Sequence, residues 1–131
     1  MIVDSSALVT VVREEPGFTT YLDALLRSPT NRVSAATFLE AAVVLDRLPN
    51  PRAGERYDVL IKRLDVITEP VTAAQARIAR EAYRRFGKGT GHPARLNFGD
   101  CFAYALAKEF DEPLLFIGQD FGQTDIRPAL T

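Results

Sequence analysis

The stretch MIVDSSALVTVV, residues 1–12, decides the fold class of this chain. A short apolar run ends in Asp4, and the residues after it place apolar side chains at the three-and-four spacing of a helix. We expect a buried strand that passes directly into a helix capped by Ser5 or Ser6, since serine is a preferred N-cap residue. A strand followed at once by a helix is typical of an α/β protein.

The rest of the chain repeats this alternation. Strands are predicted at NRVS (31–34), at DVITEPV (65–71) and at LLFIG (114–118), a continuous apolar run typical of a strand buried on both faces. Helical patterns lie between them, over residues 18–28, 35–48 with Ser34 as the cap, 54–64, 72–86 and from Asn97 onward. The order predicts a small, mostly parallel central sheet of four or five short strands with helices on both faces.

Composition indicates one ordinary globular domain over residues 1–131, with 47% apolar and 25% charged residues. No apolar run is long enough to cross a bilayer, so we expect a soluble, cytoplasmic protein without a membrane partner. The single cysteine, Cys101, excludes an internal disulfide and a zinc ribbon, and we expect it to be a small buried filler.

Positive charge is concentrated in one segment although the formal net charge of the chain is only -1. Residues 77–95 carry a single acid, Glu81, and six basic side chains: Arg77, Arg80, Arg84, Arg85, Lys88 and Arg95. Such a run is often just a solvated face. If a polyanion is the substrate, the last four basic residues are the candidates for holding its backbone. The lone histidine, His92, lies in a glycine-rich loop and is interpreted as a solvated residue or phosphate contact rather than a general base.

Four acids occur in unexpected settings. Asp4 ends the first strand, and Asp120 follows the last one, so both fall at the carboxyl edge of a parallel sheet, where ligands gather. Glu40 is the only charge between Arg32 and Asp46, and it is exposed, paired or bound to a cation. Asp100 is explained as an acid in the first turn of a helix that Asn97 caps, yet it also faces inward.

Several carboxylates in one site repel one another unless they share protons or a divalent cation. Oxygen ligands without clustered histidine or cysteine favour Mg²⁺ or Mn²⁺ over zinc. Such an ion activates a bound water and stabilises charge on a phosphoryl oxygen. Together with the basic segment, this predicts hydrolysis of a phosphodiester.

Four segments carry a resemblance that spans nearly the whole chain. MIVDSSALV (1–9), AATFLEAAVVL (35–45), LNFGDCFAYALA (96–107) and LLFIGQDFGQTDI (114–126) resemble, in order and spacing, the PIN-domain ribonuclease toxins of the VapC family. The resemblance implies a PIN-domain-like three-layer α/β/α fold and a Mg²⁺- or Mn²⁺-dependent endoribonuclease. It also implies the toxin role in a type II toxin–antitoxin pair, with a VapB-like antitoxin, an RNA substrate and a homodimer.

Matching motifs also assign site residues. Asp4, Glu40 and Asp100 look like the acidic metal-binding triad, and Ser6 looks like the hydroxyl that orients the first acid. The alternative role of Ser6 is to cap the first helix.

The fourth acid of the family is the least certain carry-over. Related chains often have two acids before the phenylalanine, whereas this chain has Gln119 and then Asp120. We retain Asp120 as the fourth metal-binding and catalytic candidate, with Asp125 as a distant alternative.

Two other classes of protein compete with a ribonuclease. A phosphoryl-transfer α/β domain also places an acid after its first strand and binds a single Mg²⁺. A non-catalytic module would use the acids only as helix caps. The apolar residues of 18–28 and 56–64 are candidates for partner surfaces or for core.

Overall fold

The computed structural model describes residues 1–130. The elements within this part are β1 (Ile2–Val3), α1 (Ser5–Val12), α2 (Phe18–Arg27), β2 (Arg32–Ser34), α3 (Ala35–Asp46), α4 (Ala53–Arg63), β3 (Ile67–Glu69), α5 (Ala73–Phe86), α6 (Phe98–Phe110), β4 (Leu114–Leu115) and a short 3₁₀ turn (Phe121–Gln123). The predicted order of strands and helices is therefore confirmed. No helix in this part of the chain is long and apolar enough to cross a membrane.

The four strands form one sheet in the order β3-β2-β1-β4, and its neighbouring strands are parallel. Ile2 of β1 lies opposite Arg32 of β2 on one side and Leu114 of β4 on the other. The chain winds outward from β1 through β2 to β3 and then crosses to the opposite side for β4. The winding direction therefore reverses between β1 and β4, and a crevice at such a point is where parallel sheets bind ligands.

Alternating side chains of the strands supply the two halves of the core. Ile2 and Leu114 pack with the apolar residues of α5 and α6, whereas Val3 and Leu115 pack with those of α1 to α4. Successive side chains point to opposite faces of a strand, so even two-residue strands contribute to both halves. The result is the predicted three-layer α/β/α arrangement.

Both sheet edges are short. Beside β4, the N–H of Leu114 donates to Arg127 O (2.9 Å) and the N–H of Ala129 donates to Leu114 O (2.8 Å). The segment 127–129 therefore lies along the outer side of β4. At the other edge, β3 has three residues and is followed directly by Pro70.

Two of the three predicted helix caps are confirmed. The Ser34 side chain accepts the N–H of Ala36, and Asn97 forms a capping box with Asp100. The prediction that Ser5 or Ser6 caps α1 is wrong, because Asp4 is the N-cap. Its backbone is still extended (φ -85°, ψ 158°), and its own carboxylate accepts the N–H of Ser6 in the first turn of the helix. Both serine hydroxyls are thereby left for other partners.

Candidate active site

Asp4 lies in the crevice at the end of β1 and is only 4% exposed. Its Oδ2 accepts two hydrogen bonds from Ser6, one from the backbone N–H (3.1 Å) and one from Oγ (2.6 Å). Its Oδ1 is buried and has no hydrogen-bond partner among residues 1–130. Burial raises the pKa of Asp4, and the charge of Glu40 adds to that shift. A buried carboxylate oxygen without a partner is costly, so its position calls for a ligand.

Ser6 connects Asp4 to the segment that follows β4. Its Oγ donates to Asp4 and accepts the N–H of Ile117 at 3.0 Å. The hydroxyl proton is thus directed at the carboxylate, while the oxygen holds the chain that leads toward Asp120. The alternative role of Ser6 as the helix cap is wrong, since Asp4 takes that position.

Glu40 reaches the same crevice from the second turn of α3. Its Oε1 accepts a hydrogen bond from Ser5 Oγ at 2.8 Å. Its carboxylate also lies directly against the backbone of Gly99, at the start of α6. The glutamate is therefore half-buried between α1 and α6, and the explanation of it as a residue on a freely solvated helix stripe is wrong.

Asp100 is held by the first turn of α6. Its Oδ2 accepts the N–H of Asn97 (2.9 Å), while Asn97 Oδ1 accepts the N–H of Asp100 (2.8 Å). Burial raises the pKa of Asp100 to about 6, against the opposing effect of the Asn97 hydrogen bond, and repulsion from Asp4, Asp120 and Glu40 adds to the rise. Asp100 is thus both a cap residue and a member of the acidic cluster.

Asp120 joins the acidic cluster from the segment that follows β4. It precedes the 3₁₀ turn, its side chain is exposed, and its charge acts on Asp100. Gln119, the alternative for this position, is also exposed. Gly118 has φ +108°, which L side chains rarely adopt, so the chain turns sharply out of β4 just before these two residues.

Asp125 is engaged elsewhere. It accepts hydrogen bonds from Tyr104 Oη (2.7 Å) and Lys108 Nζ (3.0 Å) on α6. Burial tends to raise the pKa of Asp125, but these two hydrogen bonds outweigh that effect and lower it. The structure therefore gives Asp125 a role in fastening the C-terminal segment to α6.

The four acids together have the donor atoms that Mg²⁺ and Mn²⁺ prefer. In residues 1–130, no group of three His, Cys, Asp or Glu side chains is arranged so that it could hold a metal ion. Magnesium does not need one, because it usually binds through one or two carboxylates and keeps several waters. The unpartnered Oδ1 of Asp4, and the mutual repulsion seen at Asp100, fit a divalent cation at this site.

The basic residues proposed for RNA lie at the end of α5 and in the loop that leads to α6. Arg84 is 3.6 Å from Glu81, and Arg85 is 4.0 Å from Asp125 with its guanidinium over the Phe86 ring. Lys88 and Arg95 are exposed and form no ion pair with any residue in 1–130.

The two remaining candidates have local contacts. His92 Nδ1 accepts the N–H of Ala94, and its ring meets Phe86 edge to face at 4.9 Å between centroids. Cys101 is buried, with Sγ 3.4 Å from Asn97 O, as expected for a small core residue.

Sequence reasoning missed the part that Ser5 and Gly99 play at Glu40. The available signals were a second serine after the strand-ending acid and a glycine in the first turn of a helix. Neither signal identifies Glu40 as the partner, since that contact joins residues 35 positions apart.

Comparison with known proteins assigns the family. The profile of the PIN domain matches residues 1–126. Ribonuclease VapC28 of Mycobacterium tuberculosis is 49% identical over 130 residues, which is 99% of this chain and 98% of the relative. The chain belongs to the VapC family of PIN domains. The resemblance noted in the sequence is thereby confirmed.

Solved structures of a VapC toxin and of a toxin–antitoxin complex have the same fold. VapC20 of Mycobacterium tuberculosis, described as a sarcin–ricin loop cleaving toxin, matches with a TM-score of 0.75 at 19% identity, covering 95% of each chain. A toxin–antitoxin complex from Klebsiella pneumoniae matches with a TM-score of 0.70 at 16% identity, covering 92% of this chain and 88% of that one. At these identities the likeness concerns the fold.

Proposed function

We propose that this VapC family member is a metal-dependent endoribonuclease that acts as the toxin of a VapBC-type pair. The observation that carries the proposal is the buried, unpartnered Oδ1 of Asp4 among three further acids. The names of close relatives as VapC ribonucleases support the reaction class. A receiver-like or phosphatase-like domain would also bind Mg²⁺, but the family assignment favours the nuclease.

Asp4, Glu40, Asp100 and Asp120 are the residues that would hold Mg²⁺ or Mn²⁺. When bound, the ion supplies an activated water and stabilises negative charge on the phosphoryl oxygen. Ser6 fixes the orientation of Asp4 by occupying Oδ2, which leaves Oδ1 as the carboxylate oxygen without a hydrogen bond. Asn97 does the same for Asp100 by occupying its Oδ2. One oxygen of each aspartate is thereby fixed in position before an ion binds.

The RNA strand would approach across the basic end of α5 and the following loop. Lys88 and Arg95 have no ion pair within residues 1–130 and are the best candidates for phosphate contacts. Arg84 and Arg85 would first have to exchange their weak contacts with Glu81 and Asp125. Phosphate contacts position RNA without reading its sequence, so they do not identify the target.

The decisive experiment compares RNA cleavage by matched variants. Wild type, Asp4→Asn and Asp23→Asn are incubated with total RNA in Mn²⁺, and cleavage sites are mapped. Asp23 is an exposed acid on α2, so its variant controls for the lost charge alone. We expect wild type and Asp23→Asn to cut equally and Asp4→Asn to be inactive. Equal cleavage by Asp4→Asn refutes the catalytic assignment.

An apolar groove between α2 and α4 supports the antitoxin partner. It has a volume of about 570 Å³ and includes Leu22 and Leu26 of α2 and Val59 and Leu60 of α4. Leu26 and Val59 are 62% and 50% exposed. Three arginines and two glutamates also line the groove, and one arginine, Arg56, pairs with Glu14 at 2.8 Å. Its chemistry fits an apolar segment with an acidic flank, such as a helix of the antitoxin.

A second apolar surface supports the homodimer. Phe98, 77% exposed at the start of α6, contacts Phe102 edge to face at 5.0 Å. Leu39 and Val43 of α3 are also exposed, on the helix that contacts Gly99 through Glu40. Exposed apolar side chains of this size are frequent at interfaces between protein copies. We propose that the second copy covers this surface.

A further inference from the structure

Glu40 stands out among the acids because its carboxylate is fixed from two sides by other elements. Ser5 Oγ, from the first residue of α1, donates to Oε1 at 2.8 Å. On the other side, the Cα of Gly99 in α6 faces the carboxylate group. A Cβ at position 99 would overlap Oε2 and lie only 2.8 Å from Cδ, closer than real contacts of a Cβ. Only glycine leaves this space free.

The hydroxyl of Ser5 is available for Glu40 because the N-cap role belongs to Asp4. A serine has one hydroxyl proton, and here it goes to Glu40 Oε1. The hydroxyl of the adjacent Ser6 goes to Asp4 Oδ2. Two neighbouring serines therefore direct two acids that lie on different elements of the fold.

We propose that Ser5 and Gly99 are positioning residues for the metal site, acting through Glu40. Ser5 holds one carboxylate oxygen, and Gly99 provides the space that lets the other lie beside Asp100. A free glutamate side chain has many rotamers, and ordering it opposes ion binding. The two residues fix this side chain before an ion arrives. The inference rests on the proposed metal-dependent function.

A purely structural role for the contact predicts a different result. If the Ser5 hydrogen bond only fastens α1 to α3, its loss lowers the stability of the protein and leaves ion affinity unchanged. If it positions Glu40, its loss lowers ion affinity in a protein that is still folded. Removing a partner of this kind typically weakens metal binding by about tenfold to a hundredfold.

The test measures Mn²⁺ binding to the full chain by isothermal titration calorimetry, with folding checked by circular dichroism. The variants are Ser5→Ala, Gly99→Ala, Glu40→Gln and the double variant Ser5→Ala/Glu40→Gln. Ser28→Ala is the matched control, since Ser28 Oγ also donates a hydrogen bond, to Thr30 O at 2.9 Å, outside the site.

We expect Ser5→Ala and Gly99→Ala to weaken Mn²⁺ binding by about tenfold or more, and Ser28→Ala to bind like wild type. In the Glu40→Gln background, Ser5→Ala should cause little further loss, because the charged carboxylate that the hydroxyl positions is gone. The inference is overturned if Ser5→Ala binds Mn²⁺ as tightly as wild type. It is also overturned if Ser5→Ala lowers Mn²⁺ affinity as much in the Glu40→Gln background as in wild type. Either result leaves the proposed function standing. Absence of Mn²⁺ binding by wild type overturns the proposed function, and the inference with it.

Discussion

Replacing Asp100 with Asn should stabilise the metal-free protein. Burial and the surrounding charges raise the pKa of Asp100 from 3.8 to about 6, a shift of about two units, and each unit corresponds to about 1.4 kcal/mol. Asp100 is only partly buried, so solvent screening reduces this cost, and the charged form costs the fold about 2 kcal/mol near neutral pH. A neutral residue in the first turn of α6 loses about 0.5 to 1 kcal/mol of interaction with the helix dipole. We expect a net gain of about 1 kcal/mol in the free energy of unfolding.

The stability advantage of Asp100→Asn should also change with pH in a direction that can be measured. Folded Asp100 holds its proton more tightly than the unfolded chain does, so this group makes the protein less stable as pH rises from 3.8 to about 6. Above the pKa of Asp100 in the folded state this loss of stability is complete. Below its pKa in the unfolded chain there is no loss. The advantage of Asp100→Asn should therefore shrink by about 1 kcal/mol between about pH 7.5 and about pH 5.

Urea denaturation in EDTA at these two pH values measures the difference directly, with Asp23→Asn as the control for a lost surface charge. Titrating groups remote from the acidic cluster are common to the proteins and cancel in the comparison. The reasoning is refuted if Asp100→Asn is no more stable than wild type near neutral pH, or if its advantage is the same at both pH values. The same variant should bind Mn²⁺ more weakly, because the strain at this carboxylate is what an ion would relieve.

Substitutions at three surfaces test the remaining proposals. Lys88→Ala combined with Arg95→Ala should reduce the slope of log affinity for single-stranded RNA against log salt, measured in EDTA, by about 0.7 for each lost phosphate contact. An unchanged slope excludes both residues from the RNA path. Val59→Glu should abolish co-purification with the proposed VapB-like antitoxin without changing Mn²⁺ affinity, and retained capture would exclude the α2/α4 groove. Phe98→Glu or Leu39→Glu should convert a dimer to a monomer in sedimentation, and a stable dimer would move the interface elsewhere.

The sequence was informative where one residue type has one strong local preference. Asn97 is a good cap with an acid three positions later, and the structure has the capping box at that place. The strand ahead of Asp4 and the helix behind it were likewise predictable, because a short apolar run precedes Asp4 and apolar residues at helical spacing follow it. The position of Asp4 at the sheet edge follows from that order alone.

Other features depend on contacts between distant residues. Ser5 was expected to cap a helix, but the strand ends one residue earlier and Asp4 takes the cap, which releases the hydroxyl for Glu40. The LLFIG run predicted a longer strand than the two residues of β4, because hydrophobicity cannot distinguish a paired residue from one that has already turned away. The free space at Gly99 exists only because α3 and α6 meet there.

The covering of β4 by residues 127–129 affects how the protein behaves when no partner is bound to it. A sheet edge with free N–H and C=O groups can add a strand from another molecule and start aggregation. Here one edge already has its backbone groups engaged by a segment that contains Pro128, and the other is the three-residue β3 beside Pro70. Neither edge offers the length of free backbone that strand addition requires. For the proposed toxin, release from an antitoxin would thus leave neither sheet edge open to strand addition, even while the apolar groove is uncovered.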